Sequence, residues 1–194
     1  MFSSEGPVND PREEELLGAT KTLWLQGLMR DHESRLLRYA KRWVAEQTAR
    51  ELVQETFLRL WKEDEDALKG REAEWLFCVC RNLAMDVLEK DKRVGANPVD
   101  GENEPASEAE NAEEAMGQAQ EQSRVLALMK GLPGNQQECL RLKFQEGFSY
   151  KEISSITGLS VSHVGVLIHE GMKRLREQLA PAAAGAAVGQ GGRQ

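Results

Sequence analysis

Between Val94 and Gln120 the chain runs VGANPVDGENEPASEAENAEEAMGQAQ, with seven acids, no lysine or arginine, two prolines and few large apolar side chains. Such a segment cannot bury enough apolar surface to offset the entropy of ordering it. It therefore reads as a flexible acidic linker (94–120) and divides the 194 residues into blocks that must each build a core. Its C-terminal end is expected to run into the next helix. The last fifteen residues, APAAAGAAVGQGGRQ (180–194), are an Ala/Gly tail of low complexity for which disorder is expected. Residues 1–20 form an acidic extension, which leaves 21–93 and 121–179 as two small folded domains.

A net charge of −7 argues at first against a nucleic-acid partner. Its distribution reverses that reading. The extension carries −4 and the linker −7, whereas 21–93 carries +1, 121–179 carries +2 and the tail +1. With 40% hydrophobic and 29% charged residues the chain has the composition of a soluble globular protein. No stretch approaches the roughly 18 apolar residues of a membrane span, and the start, MFSSEGPVNDPREEE, is acidic where a signal peptide is basic and then apolar. A cytoplasmic protein without membrane insertion is expected. Cys78, Cys80 and Cys139 are an odd set in apolar helical patterns without zinc-ligand spacing, so they read as small buried side chains in a reducing compartment. No metal or cofactor is expected.

Both blocks read as helical, because apolar residues recur every three or four positions and no alternating β-branched run occurs. In the first block one stripe comprises Leu36, Leu37, Ala40 and Trp43-Val44. A second comprises Leu52, Val53, Phe57, Leu60 and Trp61, and a third Trp75-Leu76, Val79, Leu83, Val87 and Leu88. An antiparallel bundle follows, with connections near Ala45–Ala49 and Glu63–Arg71 and every aromatic in the core.

The second block is punctuated more sharply. Val125, Leu126, Leu128 and Met129 make one helix, broken by GLPGN; Cys139, Leu140, Leu142, Lys143 and Phe144 belong to another, ended by EGFS. Ser149 with Glu152 three residues on has capping-box spacing. Gly158 suits a left-handed turn and Ser160 a helix N-cap. Ile153, Ile156, Leu159, Val164, Ile168 and Leu175 would bury the seam between the two helices so defined. The fold class is all-α: an N-terminal helical bundle and a C-terminal helix-turn-helix joined by the linker. The helix-turn-helix alone does not decide for DNA, since helix, short turn and helix are common in all-α proteins.

Three stretches together resemble bacterial sigma factors of the extracytoplasmic-function (ECF) type in the sigma-70 family. ELVQETFLRLW (51–61) is similar to the family's core-polymerase-binding helix, and WLFCVCRNLAMDVLEKDKR (75–93) to the melting and downstream-element helix that follows it. LPGNQQECLRLKFQEGFSYKEISSITGLSVSHVGVLIHEGMKRLREQL (132–179) is similar to the domain that reads the upstream element. The resemblance implies a non-enzymatic subunit that lends core RNA polymerase its promoter specificity and assists melting. Its partners would be the β′ clamp coiled coil, the β flap and promoter DNA, with an anti-sigma factor left open.

On 51–61, Leu52, Phe57 and Leu60 can face the bundle while Glu51, Gln54, Glu55 and Arg59 stay outside, a polar face suited to the clamp helix that the resemblance implies or simply to solvent. On 75–93, Arg81 and Asn82 lie opposite the apolar stripe, near Asp86, and Lys90, Lys92 and Arg93 extend the basic character. They would meet the downstream element, although cations at a helix end also suit its dipole. The loop KEDEDALKGRE, where the family captures an unstacked base, is acidic here.

The reading helix departs from the family pattern, because Gly165, Leu167 and Glu170 stand where basic residues are expected. Ser162 and His163 remain near its start to reach base edges. Phosphate contacts fall to Lys173, Arg174 and Arg176, with Lys151 on the preceding helix and Arg141 or Lys143 before it. Val166 and Leu167 could pack on a neighbouring helix, touch thymine methyls or meet a protein. Weak binding of this domain alone to duplex DNA is expected, with tethering to polymerase making up the difference.

Two other functions compete. A one-component regulator of the LuxR type would need a ligand or receiver domain, and 21–93 offers neither. A sigma-like adaptor or decoy that binds polymerase without reading DNA would explain the uncharged start of the reading helix. Catalysis has no support: His32, His163 and His169 are scattered, and no triad, phosphate loop or metal motif stands out.

Overall fold

The computed structural model describes residues 11–94 and 125–179, with side chains over 18–93 and 125–179. Expectations for the start of the extension (1–10), for 95–120 of the linker, for 121–124 of the second block and for the tail (180–194) lie outside the described residues. The chain divides into two compact units on either side of Pro105. All regular structure among the described residues is helical.

The first unit contains α1 (Pro11–Ala40), α2 (Glu46–Leu60), the single turn α3 (Glu65–Leu68) and α4 (Glu72–Val94). Helices α1, α2 and α4 pack pairwise around one core. Leu36 and Ala40 of α1 join Val53, Phe57 and Leu60 of α2 there. From α4 come Leu76, Phe77, Cys80 and Ala84. The Phe77 ring lies 5.2 Å from the Tyr39 ring at 55°, and the Arg35 guanidinium carbon stands 5.7 Å from the Phe77 ring centroid, a cation–π contact.

Four details correct the sequence reading. Helix α1 (Pro11–Ala40) takes in residues 11–20 of the stretch read as an extension. The first connection is Lys41–Ala45 and not Ala45–Ala49, because Glu46 already opens α2, held by Lys41 at 2.9 Å and Arg50 at 2.6 Å. The Lys41 hydrogen bond, then the one from Arg50, keeps the Glu46 carboxyl below its ordinary 4.5. The buried stripe of α4 is rotated toward Phe77, Cys80 and Ala84, leaving Trp75, Val79 and Val87 half-buried. Trp61 is 43% exposed, so not every aromatic is core.

The cysteines divide likewise, with Cys80 and Cys139 buried and Cys78 half-exposed. Burial pushes the Cys80 thiol up to about 12 and raises Cys78 above 9. In the native protein only Cys78 is expected to react with an aromatic disulfide reagent, at a rate still rising beyond pH 9. Two or more fast thiols in a native titration would contradict this arrangement.

The second unit holds α5, helical over 125–130, then α6 (Gly134–Phe144), α7 (Tyr150–Thr157) and α8 (Val161–Leu179). Helix α8 packs against both α6 and α7. Gly171 permits the closest approach, since a Cβ there would sit 2.8 Å from Leu140 Cδ1. The α7–turn–α8 corner follows the expected local rules. The Ser149 hydroxyl accepts from the Glu152 N–H at 3.3 Å, and the Ser149 N–H donates to Glu152 Oε2 at 2.7 Å. Gly158 has φ +74°, in the left-handed region where a side chain is strained. Ser160 accepts from the His163 N–H at 3.2 Å. Ile153, Ile156, Val164, Ile168 and Leu175 are buried, while Leu159 is only half-buried.

The capping box has a measurable pH signature. Hydrogen bonds from the Ser149 hydroxyl, then its backbone N–H, hold the Glu152 carboxyl below the ordinary 4.5. A lowered carboxylate stabilises fully above its unfolded value, and that stabilisation is lost as pH falls through the folded one. Ser149→Ala is therefore expected to cost about 1 kcal/mol at pH 7, with the gap to wild type narrowing as pH drops below 4.5. Urea melts at pH 7 and in acid with an unchanging gap would contradict this.

Candidate functional site

On α2 the inner and outer faces separate cleanly. Leu52, Val53, Thr56, Phe57 and Leu60 are buried. Glu51, Gln54 and Arg59 are exposed and Glu55 is half-exposed. Glu55 pairs with Arg59 at 2.9 Å, and Glu51 accepts from Gln47 Nε2 at 3.0 Å. Leu58, 55% exposed, adds an apolar residue to the outside that the sequence reading did not single out. The face thus carries two carboxylates and one guanidinium, with the Glu55–Arg59 ion pair running along it and an apolar side chain exposed beside it.

On α4, Asn82 is exposed and donates to Cys78 Sγ at 3.8 Å, a weak contact that leaves the amide at the surface. Arg81 is half-buried; Lys90, Lys92 and Arg93 are exposed, and Arg93 forms an ion pair with Glu89 one turn back. The loop before α4 contains α3, whose N-cap Asp64 accepts from the Asp66 N–H at 3.2 Å. Lys21 of α1 holds the start of this loop: its Nζ donates to the Glu63 carbonyl at 2.8 Å and lies 5.5 Å from the Trp61 ring centroid. Neither Lys21 nor this contact was foreseen. Only the helical spacing that extends α1 back to Pro11 places Lys21 near the loop.

In the second unit Lys151, Ser162, His163, Val166, Lys173, Arg174 and Arg176 are all exposed. Of the three positions lacking positive charge, Leu167 and Glu170 have structural explanations. Gly165 lies against the Tyr150 ring, 3.7 Å from where a Cβ would stand. Leu167 is 9% exposed and belongs to the core, which decides between the options left open for it. Glu170 accepts from Gln136 Nε2 at 3.1 Å, and the same Gln136 accepts from Arg174 Nη1 at 3.1 Å, so the buried amide ties both charged side chains to α6. Arg174 is therefore engaged within the unit, while Lys173 reaches toward Glu177 at 4.0 Å.

Two family models match the chain, and they do so in order. Sigma-70 region 2 matches residues 28–94, and sigma-70 region 4 matches 122–175. The chain belongs to the sigma-70 family. Among curated relatives, this sigma-70 family chain is 31% identical over 156 residues to the ECF RNA polymerase sigma factor SigE of Mycolicibacterium smegmatis, a match covering 79% of the chain and 60% of the relative. It is 26% identical over 138 residues to the ECF sigma factor SigK of Mycobacterium ulcerans, covering 66% of the chain and 71% of the relative. These similarities place it with the ECF type.

Two solved structures share the fold at 21% identity. CnrH in complex with the cytosolic domain of CnrY gives a TM-score of 0.54, covering 84% of this chain and 95% of that one. The sigma factor RpoE in complex with the anti-sigma factor NepR from Bartonella quintana gives 0.58, covering 82% and 98%. The region 2 match begins at residue 28, so Lys21 lies outside it while the loop it holds lies inside it. Among the described residues no group of three or more His, Cys, Asp or Glu is placed to hold a metal, and no helix is long and apolar enough to cross a membrane.

Proposed function

We propose that this chain is a promoter-specificity subunit of bacterial RNA polymerase, acting in the cytoplasm and performing no catalysis of its own. The carrying observation is the ordered pair of sigma-70 regions, 2 then 4, each falling on its own compact unit. The outer face of α2, with Glu51, Gln54, Glu55 and Arg59, docks on the β′ clamp coiled coil. The Asn82 and Arg81 side of α4 meets the non-template strand of the downstream element, with Lys90, Lys92 and Arg93 toward phosphates. The α7–α8 corner enters the major groove of the upstream element while the unit contacts the β flap. Lys151, Lys173 and Arg176 neutralise phosphates, and Arg174 serves chiefly to brace α8 on α6.

With few cations at the groove, binding of the second unit to duplex DNA is weak and depends on polymerase to hold it there. The complexes of CnrH with CnrY and RpoE with NepR support an anti-sigma partner for this chain as well.

Run-off transcription tests the reading: purified core polymerase with this protein, on a fragmented genomic library, sequenced at the 5′ ends. New starts sharing a pair of upstream elements are expected. Stable binding to core with no new start would establish a decoy or adaptor instead.

A further inference from the structure

The outward stripe of α8 runs Ser162, Val166, His169 and Lys173, spaced by four, three and four residues, so that these side chains share one helix face. All four are exposed. Val166 keeps 50% of its surface in solvent, whereas the adjacent Leu167 keeps 9%. Val164 and Ile168 already fill the seam against α7. The apolar character at position 166 is therefore not core displaced by a register error. Close by, Gly165 gives room to the Tyr150 ring, which is itself 41% exposed. Lys143 lies 5.5 Å from that ring's centroid and donates to the Phe148 carbonyl at 3.3 Å, anchoring it from α6.

Charge is distributed around this apolar centre rather than in it. Exposed cations stand at Lys151 on α7 and at Lys173 and Arg176 along α8, while the first two turns of α8 carry none. This matches a duplex groove in layers: phosphates border it, and base edges form its floor. On the major-groove floor the thymine C5-methyl is the group that distinguishes its base by apolar contact, while guanine, cytosine and adenine are distinguished by their donors and acceptors. A branched aliphatic side chain gains most by lying against that methyl.

Resting on the promoter-reading role proposed above, we infer that Val166 reads a thymine C5-methyl in the upstream promoter element. Specificity at that base pair then comes from burying a methyl group, and the phosphate contacts at the periphery contribute affinity without choosing the base. Val166→Ala removes the contact, and substitution at an exposed helical position toward alanine preserves the helix.

The test uses holoenzyme assembled from core polymerase and the full chain, on a promoter found by the 5′-end mapping. Each thymine of the upstream element is replaced in turn by deoxyuridine, which deletes the methyl and keeps the base pair. One replacement is expected to lower promoter occupancy about fourfold, the worth of one buried methyl group. With Val166→Ala the same replacement is expected to have no effect. Indifference of the wild type to every replacement would overturn the inference, as would equal sensitivity in Val166→Ala. A variant that initiates less well on thymine and uracil templates alike would assign Val166 to a protein contact. Holoenzyme that starts at no promoter would overturn the proposed function itself, and this inference with it.

Discussion

Replacing Phe77 by alanine is expected to cost the first unit about 3–5 kcal/mol, the usual range for emptying a buried aromatic site. Phe77 is wholly buried, and it joins α4 to α1 through the Tyr39 ring and the Arg35 guanidinium. Neither neighbour can refill the space without leaving its own contacts. Against a total stability of roughly 5–15 kcal/mol, such a loss brings the bundle near unfolding at ordinary temperature. At about 4–8 °C per kcal/mol for a domain of this size, the melting temperature falls on the order of 20 °C. Thermal melting followed by circular dichroism, with hydrogen exchange in α1, α2 and α4, checks it. A variant melting within a few degrees of wild type would show that this ring does not hold the bundle.

The second large effect concerns binding. The double change Glu51→Lys with Glu55→Lys reverses two carboxylates on the outer face of α2 and removes Arg59's partner. Inner residues such as Leu52, Phe57 and Leu60 are untouched, so stability is expected to change by less than about 1 kcal/mol. If this face docks on polymerase, affinity for core should fall roughly 10–100-fold, with the salt dependence altered, because like charges now meet across the contact. Fluorescence titration of core with labelled chain reads both quantities. Unchanged affinity with an intact fold would move the polymerase contact off this face.

How far the sequence disclosed this arrangement depended on how local the governing physics was. The Ser149–Glu152 capping box, the left-handed Gly158 and the Ser160 cap are set within a few residues, and each takes its expected form. The α2 faces were equally legible, because a period of 3.6 sorts large apolar from charged side chains without ambiguity. Helix α4 was harder. Val79 and Val87 look more apolar than Cys80 and Ala84, yet close packing against α1 and α2 draws the small residues inward, and small size is not hydropathy. Helix α1 was missed over its first turns because side chains from Gly18 to Thr20 are exposed and show no stripe. The roles of Gly165, Leu167 and Glu170 depend on Tyr150, on the core and on Gln136, contacts that span up to 34 residues of sequence.

Those contacts also bear on how α8 could gain positive charge over evolutionary time. A basic side chain at 167 would bring a charge into the core, and at 170 it would face Arg174 across Gln136, whereas at 165 a Cβ would meet the Tyr150 ring at 3.7 Å, an ordinary contact. Acquiring a cation at 167 or 170 therefore calls for compensating changes in the core or on α6 first. The exposed positions in the first half of α8, Val161, Ser162, His163, Val166 and His169, lie outside that constraint, so a change there alters the outward face without disturbing the core.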